Sequence, residues 1–278
     1  MEQNKQNTTP AGRPRPRLTK AQWQARRRRR ILRRVRNWVL FLAACGALVA
    51  LMTSGLLWVL GQARTLLAGP EDYQPVAYDL SEYIFNRDDP YLVLVNNNLP
   101  LDAETQPTLA EADPGIQLEA EAAAAWQAMA AAAQADGVEL ILVSGYQDAE
   151  TRQAAYDARV ESYLEEGLSE EEAAQRAKTV TPAPGGNESG TGLSLELLSD
   201  GYDSLDTGFD NTEAYRWLTA YAAEYGFILR WPADRQLATG MVYQPWRWRY
   251  VGAENARAIR ASGLSLEEFL ALYQQTQA

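Results

Sequence analysis

An uncharged stretch of 23 residues, from Trp38 to Leu60, is the feature that most restricts how this chain can fold. As a helix that rises about 1.5 Å per residue it would measure about 35 Å, which is enough to cross a hydrocarbon core of about 30 Å. Trp38 and Trp58 stand near its two ends, where indole rings favour the membrane interface. The stretch therefore predicts a single transmembrane helix over 38–60, with independent structure on either side.

Charge is distributed very unevenly about this stretch. Residues 1–37 contain 13 of the 26 Lys and Arg residues and one acid, whereas the remainder carries 13 basic against 35 acidic side chains. Because Arg-rich flanks stay in the cytoplasm, we expect 1–37 to be a disordered cytoplasmic tail and residues 61–278 to be exported across the cell membrane. We expect the tail to meet anionic membrane lipid and not nucleic acid.

Two other interpretations of the apolar stretch stay open. A cleaved signal peptide has an apolar core of only about 7–15 residues, so it fits less well. The segment from Leu42 to Cys45 also resembles a lipobox, in which Cys45 would be acylated, although apolar sequence continues for 15 residues beyond it. Cys45 is the only cysteine, so the exported part has no disulfide and no cysteine-based metal cluster.

The exported part divides into a juxtamembrane linker, 61–89, and one domain, 90–278. Apolar runs predict strands over 91–95, 138–143, 193–197, 227–231, 241–243 and 246–250. Capping residues and terminal glycines predict helices over 117–136, 148–166, from 169 onward, 212–225, 253–261 and 266–275. Strands and helices follow one another in mixed order, which favours an α+β fold.

Five segments of this domain, in this order, carry a family resemblance. They are Tyr91–Asn96, Ser144–Gln147, Gly185–Glu196, Tyr225–Pro232 and Tyr243–Gly252. Together they resemble the signature segments of VanY-type D,D-carboxypeptidases, zinc metallopeptidases of the bacterial cell wall. The resemblance implies a D,D-carboxypeptidase/hedgehog-like domain with a small antiparallel sheet and flanking helices.

The positions to which this resemblance assigns the chemistry are all altered. Ser189 and Arg247 replace two zinc-binding histidines, Glu196 replaces a zinc-binding Asp, and the chain contains no histidine at all. Gln244 replaces the Glu that serves as base, and Gln147 replaces an Arg that stabilises negative charge. A neutral hydroxyl is a poor zinc ligand, a guanidinium stays protonated, and an amide cannot accept a proton. We therefore predict that no catalytic residue is intact and that no metal or zinc cofactor is bound.

We also predict which group takes the place of the zinc ion. Alternation along 246–250 places its three aromatic residues on one face, as core, and Arg247 with Arg249 on the other. If the family fold holds, Arg247 points into the former metal site and pairs with Glu196.

The same residues define a candidate peptide-binding groove. It comprises Ser144, Tyr146, Asn187, Arg247 and Arg249, in which the two arginines would receive the C-terminal carboxylate of a wall peptide. The favoured function is a membrane-anchored, zinc-free pseudopeptidase that binds peptidoglycan stem peptides or a cell-wall enzyme. Two alternatives stay open: an active D,D-carboxypeptidase that trims peptidoglycan peptides, and an assembly scaffold that binds no ligand.

Overall fold

The computed structural model describes residues 73–102 and 105–276. The predicted tail 1–37, the predicted membrane span 38–60 and the first part of the predicted linker 61–89 therefore lie outside the described residues. Within the two described ranges, no helix is both long enough and apolar enough to cross a membrane.

Strands and helices are interspersed along the described chain, which confirms the predicted α+β class. The strands are β1 (Leu109–Asp113), β2 (Ile116–Glu119), β3 (Leu140–Ser144), β4 (Ser194–Ser199), β5 (Phe227–Leu229) and β6 (Arg247–Tyr250). The helices are α1 (Ala120–Ala135), α2 (Ala149–Glu165), α3 (Glu170–Lys178), α4 (Glu213–Tyr221), α5 (Gln236–Thr239), α6 (Ala253–Ser262) and α7 (Leu266–Thr276).

Two antiparallel sheets organise these elements. β1 and β2 form a two-stranded hairpin, and the other strands form a four-stranded sheet in the order β3-β4-β6-β5. The register of the larger sheet places Glu196 directly opposite Arg247. A bulge between Leu142 and Ser144 shifts the register so that Ser144 lies opposite Glu196. Bulges of this kind re-aim a side chain, and here the bulge brings Ser144 to the row of Glu196 and Arg247.

The main hydrophobic core lies on one face of the larger sheet, called the core face below. Leu195 and Trp248 of the sheet share this core with Trp126 of α1 and Trp217 of α4. The opposite face carries Glu196 and Arg247 and is called the site face. Near β5 that face is covered by a second core, which includes Ile228 and Phe269 of α7.

Local signals located most of the helix starts correctly. Asp148 accepts a hydrogen bond from the Thr151 N–H at 2.8 Å, and Ser169 forms the predicted capping box with Glu172. The predicted helix over 117–136 begins only at Ala120, because the residues before it pair with β1 as β2.

Two of the predicted strands are wrong. The segment predicted as a strand over 91–95 begins with a 3-10 turn, Pro90–Leu92, and pairs with no strand of either sheet. Residues 241–243 form no strand either. Both segments are short apolar runs without a neighbouring strand to supply the ladder of hydrogen bonds.

Candidate functional site

A pair of opposite charges lies at the centre of the site face. The Arg247 Nη2 atom donates to Glu196 Oε1 at 2.6 Å, and the two side chains are 10% and 16% exposed. Charge-assisted hydrogen bonds of this length are among the strongest polar contacts in proteins. The ion pair predicted from the sequence is confirmed.

The Arg247 guanidinium makes three further contacts. Its Nη1 atom lies 3.3 Å from Ser189 Oγ and 3.3 Å from Ser194 Oγ, and its Cζ atom lies 5.0 Å from the centre of the Trp231 ring. The last is a cation–π contact. Its Nε atom is buried and has no hydrogen-bond partner within the described ranges. Ser189 and Glu196, two of the three positions that the resemblance assigns to zinc, thus both contact the guanidinium of the third, Arg247.

A short 3-10 turn, Glu188–Thr191, presents Ser189 to this guanidinium. The Asn187 side chain accepts a hydrogen bond from the Ser189 N–H at 3.0 Å and so caps the turn. Asn187 is only 4% exposed. The amide oxygen of Asn187 thus positions Ser189, and its role as a groove contact stays a prediction.

Four charged residues hold this turn in place. They are Glu188, Arg230, Arg249 and Glu267, and they are called the buried network below. The Glu188 carboxylate lies 2.9 Å from a guanidinium nitrogen of Arg230 and 2.9 Å from one of Arg249. Arg230 also pairs with Glu267 at 2.7 Å. Glu188, Arg230 and Arg249 are at most 2% exposed, so these contacts are shielded from water. The network fixes the residue next to Ser189.

Arg249 belongs to this network and not to a groove. It is 0% exposed, and its Nη2 atom donates to the carbonyl oxygens of Tyr91 and Val93 at 3.1 and 2.9 Å. Burial lowers the pKa of its guanidinium, an effect that the nearby Glu188 opposes. The prediction that Arg249 receives a peptide carboxylate is wrong. It does share a strand face with Arg247, but the chain around Tyr91 covers that end of the sheet.

The two glutamines of the site are both hydrogen-bonded through their side chains. Gln244 is 2% exposed, and its Nε2 atom donates to the Val180 carbonyl oxygen at 2.7 Å. Gln147 donates from Nε2 to Ser144 Oγ at 3.1 Å, and its backbone N–H donates to the Ser189 carbonyl at 3.0 Å. Ser144 and Gln147 therefore lie together beside the Ser189 turn. Tyr146, half-buried between them, hydrogen-bonds through its N–H to Gln117.

Arg152, in the first turn of α2, is a site residue that sequence reasoning missed. Its Nη1 atom donates to the Gln147 carbonyl at 2.6 Å and its Nε atom donates to the Pro184 carbonyl at 3.0 Å. A Cβ atom at Gly190 would overlap its guanidinium, so the guanidinium lies against the residue that follows Ser189. Arg152 is half-buried, and it forms no salt bridge with any residue that the structure describes. Its guanidinium also interacts electrostatically with the Asp148 carboxylate. Its Nη2 atom makes no hydrogen bond within the described residues.

The donor set at the centre of the site does not suit a zinc ion. Zinc in a catalytic site takes three ligands from neutral imidazole, carboxylate or thiolate. Here the Glu196 carboxylate is already paired with Arg247, and the Ser189 hydroxyl accepts from the same guanidinium. No group of three or more His, Cys, Asp or Glu side chains suited to a metal occurs within residues 73–102 and 105–276. A guanidinium in the middle of the set would repel a cation.

The fold and the arrangement of the site are those of a carboxypeptidase-like, peptidoglycan-related domain of the metallopeptidase fold. The family model described as "VanY: D-alanyl-D-alanine carboxypeptidase" matches residues 115–253, which is half of the chain. The chain belongs to the VanY D-alanyl-D-alanine carboxypeptidase family.

Individual relatives agree with this assignment. A D-alanyl-D-alanine carboxypeptidase of Enterococcus faecalis is 37% identical over 179 residues, covering 64% of this chain and 65% of that protein. The solved structure of VanYB in complex with D-alanine-D-alanine is similar at a TM-score of 0.60 and 36% identity, over 65% of this chain and 97% of that one. A mutant of the VanY D,D-pentapeptidase in complex with Zn(II) has a TM-score of 0.60 at 35% identity, over 65% of this chain and 99% of that one. The chain spans just under two thirds of the length of the enterococcal relative.

Proposed function

We propose that this chain is a membrane-anchored cell-wall protein whose VanY-family domain binds the D-alanyl-D-alanine end of peptidoglycan stem peptides without hydrolysing it. The proposal rests on the observation that the Arg247 guanidinium donates hydrogen bonds to both Ser189 and Glu196. A relative of the same fold was solved with D-alanine-D-alanine bound, which supports this ligand class.

The chemistry of the site argues against hydrolysis. In zinc peptidases the ion lowers the pKa of its bound water to about 7 and polarises the carbonyl. Of Ser189, Glu196 and Arg247 only Glu196 is a usual zinc ligand, and its carboxylate is already paired with Arg247. Gln244 cannot accept a proton, and general base catalysis contributes typically about 10²–10⁴-fold. Gln147 offers an amide dipole and no charge to a developing oxyanion.

Binding needs a cation for the C-terminal carboxylate of the peptide. Glu196 already pairs with Arg247, and Arg249 is buried. Arg152 is the guanidinium of the site whose hydrogen bonds within the described ranges go only to carbonyl oxygens and which forms no salt bridge there. We assign the carboxylate to Arg152, with the Ser144 hydroxyl and the Gln147 amide as neighbouring polar groups.

Substitution Arg152→Met is expected to weaken binding of N-acetyl-Lys-D-Ala-D-Ala by about 10–100-fold. This corresponds to loss of a hydrogen bond to a charged group, about 1.5–3 kcal/mol. Isothermal titration calorimetry measures the change, with Arg159→Met as a matched control on the exposed part of the same helix. Circular dichroism checks that the bonds from Arg152 to Gln147 and Pro184 are not needed for folding. Equal affinities for the two variants would contradict the assignment.

An active D,D-carboxypeptidase is the second candidate, favoured by the name of the enterococcal relative. The same titration mixtures distinguish the two functions. We expect no D-alanine release above the uncatalysed rate over hours, with or without added zinc. Release that a chelator abolishes would overturn the proposed pseudopeptidase and leave the family assignment intact.

The proposed anchor is the apolar stretch 38–60, which places 90–278 outside the cytoplasm. Cys45 lies within this stretch and is the only cysteine. In intact cells and in inverted vesicles Cys45 is expected to resist a membrane-impermeant maleimide, and to react once the protein is unfolded in detergent. Rapid labelling from either side would contradict a membrane span. An intact mass that carries acyl groups would instead identify a lipoprotein.

A further inference from the structure

Two exposed apolar side chains of β3 extend the site face beyond the central ion pair. Leu140 and Leu142 are 9% and 4% exposed and belong to the main core, whereas Ile141 and Val143 are 40% and 39% exposed. Because alternate residues of a strand point to opposite faces of a sheet, Ile141 and Val143 lie on the site face. These two residues are called the apolar ledge below.

The strand register places the apolar ledge in line with the site. The row at the centre of the site pairs Ser144 with Glu196, and the next row pairs Ile141 with Leu198. Val143 lies at the bulge between these two rows. Successive rows on one face of a sheet are about 7 Å apart, since a strand rises about 3.3 Å per residue. The ledge therefore begins where the polar groups of the site end.

The far end of the ledge is negatively charged. Glu139 comes one residue before β3 and Asp200 one residue after β4, and the residues between them, Leu140 and Ser199, are register partners. Both acids are exposed. In the part of the chain that the structure describes, neither carboxylate forms a salt bridge or a hydrogen bond. An apolar strip that ends in two unpaired carboxylates matches an aliphatic chain that ends in a cation.

We propose that the ledge and these two acids bind the third residue from the C-terminus of the stem peptide, and that this residue carries a long aliphatic side chain ending in an amine. This extends the proposed function, on which it rests, and in which Arg152 holds the terminal carboxylate. Arg152 follows the C-terminal end of β3, in the first turn of α2. From there an extended peptide runs back along β3 at about 3.3 Å per residue. Its third residue then packs its aliphatic carbons on the ledge and directs its ammonium group towards Glu139 and Asp200.

Charge argues against other occupants of the ledge. An anionic lipid headgroup would meet like charge at Glu139 and Asp200. A second copy of this chain would add two more carboxylates to the same surface.

The test compares three N-acetylated probes that end in D-Ala-D-Ala and begin with lysine, norleucine or glycine. Isothermal titration calorimetry with the full chain in lipid nanodiscs measures each Kd. The norleucine probe is expected to bind at least about fivefold tighter than the glycine probe, because its butyl group leaves water for the ledge. The lysine probe should gain about a further two- to fivefold at low salt, and this gain should shrink as ionic strength rises.

Substitutions separate the two contacts. Ile141→Thr combined with Val143→Thr keeps two β-branched side chains on the strand and should reduce the preference for norleucine over glycine to less than about twofold. Glu139→Gln combined with Asp200→Asn should abolish the gain of lysine over norleucine. The control Leu164→Thr alters an apolar side chain of α2 that is 39% exposed, and it should leave both preferences unchanged. Circular dichroism checks that each variant is folded.

The failure of this inference is distinguishable from failure of the proposed function. Equal affinities of the glycine and norleucine probes for the unmodified chain would overturn the inference and leave the proposed function intact. A norleucine preference that survives Ile141→Thr with Val143→Thr would overturn it as well. Absence of binding of all three probes at millimolar concentration would overturn the proposed function and this inference together. Dimers in sedimentation that the two threonine substitutions dissociate would assign the ledge to a second copy and overturn the inference.

Discussion

The variant that combines Ser189→His, Glu196→Asp, Gln244→Glu and Arg247→His is expected to bind about one zinc ion per chain, whereas the unmodified chain binds none. Glu196 and Arg247 are register partners on β4 and β6, and Ser189 contacts the same guanidinium. Side chains at these three positions therefore already converge on one point. Two imidazoles and a carboxylate with an open position form a ligand set typical of catalytic zinc sites. Elemental analysis of untagged, dialysed protein measures the stoichiometry.

The matched control keeps Arg247 and carries only the other three substitutions. It should bind no zinc, because the guanidinium remains at the centre of the ligand set and repels the ion. Circular dichroism and thermal melting establish that each variant is folded. Stoichiometric zinc in the unmodified chain or in the control would contradict this account of the site. A folded four-substitution variant without zinc would contradict it equally.

Substitution Glu188→Gln is expected to lower the free energy of unfolding by about 3–5 kcal/mol. The change keeps the size of the side chain but removes the negative charge that lies 2.9 Å from both Arg230 and Arg249. Two buried guanidinium groups would then face each other with only Glu267 to compensate them. Urea unfolding followed by tryptophan fluorescence measures the loss.

Substitution Glu166→Gln serves as the control for this effect. Glu166 pairs with Arg176 at 4.0 Å, and their side chains are 52% and 57% exposed. Exposed pairs of this kind contribute less than about 1 kcal/mol, so the control should unfold almost as the unmodified chain does. If Glu188→Gln and Glu166→Gln lower the free energy of unfolding by the same amount, the buried network does not stabilise the domain.

The parts of the fold that the sequence predicted correctly depend on local signals. Asp148 and Ser169 cap their helices through backbone groups within three residues, so no distant part of the chain affects the outcome. The contact between Glu196 and Arg247 was predictable for another reason. Strand alternation gives the direction of Arg247, and the family resemblance indicates which carboxylate lies there.

Long-range packing explains why the sequence assigned Arg249 to the groove and missed Arg152. Alternation correctly put Arg249 on the site face, but no pattern in the sequence indicates that the carbonyls of Tyr91 and Val93 would cover it. Arg152 was missed because an arginine on a polar helix resembles a solvated one such as Arg159 until the turn near Gly190 folds against it. In both cases the decisive neighbour is more than 30 residues away in the chain.

The contact of Arg247 with Ser189 and Glu196 also changes what the domain requires from its surroundings. A protein that binds an ion only when folded gains stability in proportion to the logarithm of the free ion concentration, and loses that stability when the ion becomes scarce. A cation that is part of the polypeptide is present at a fixed stoichiometry from the moment of synthesis. Under the proposed function, the centre of this site would therefore be complete in media stripped of trace metals, where a zinc-dependent relative would lose its ion.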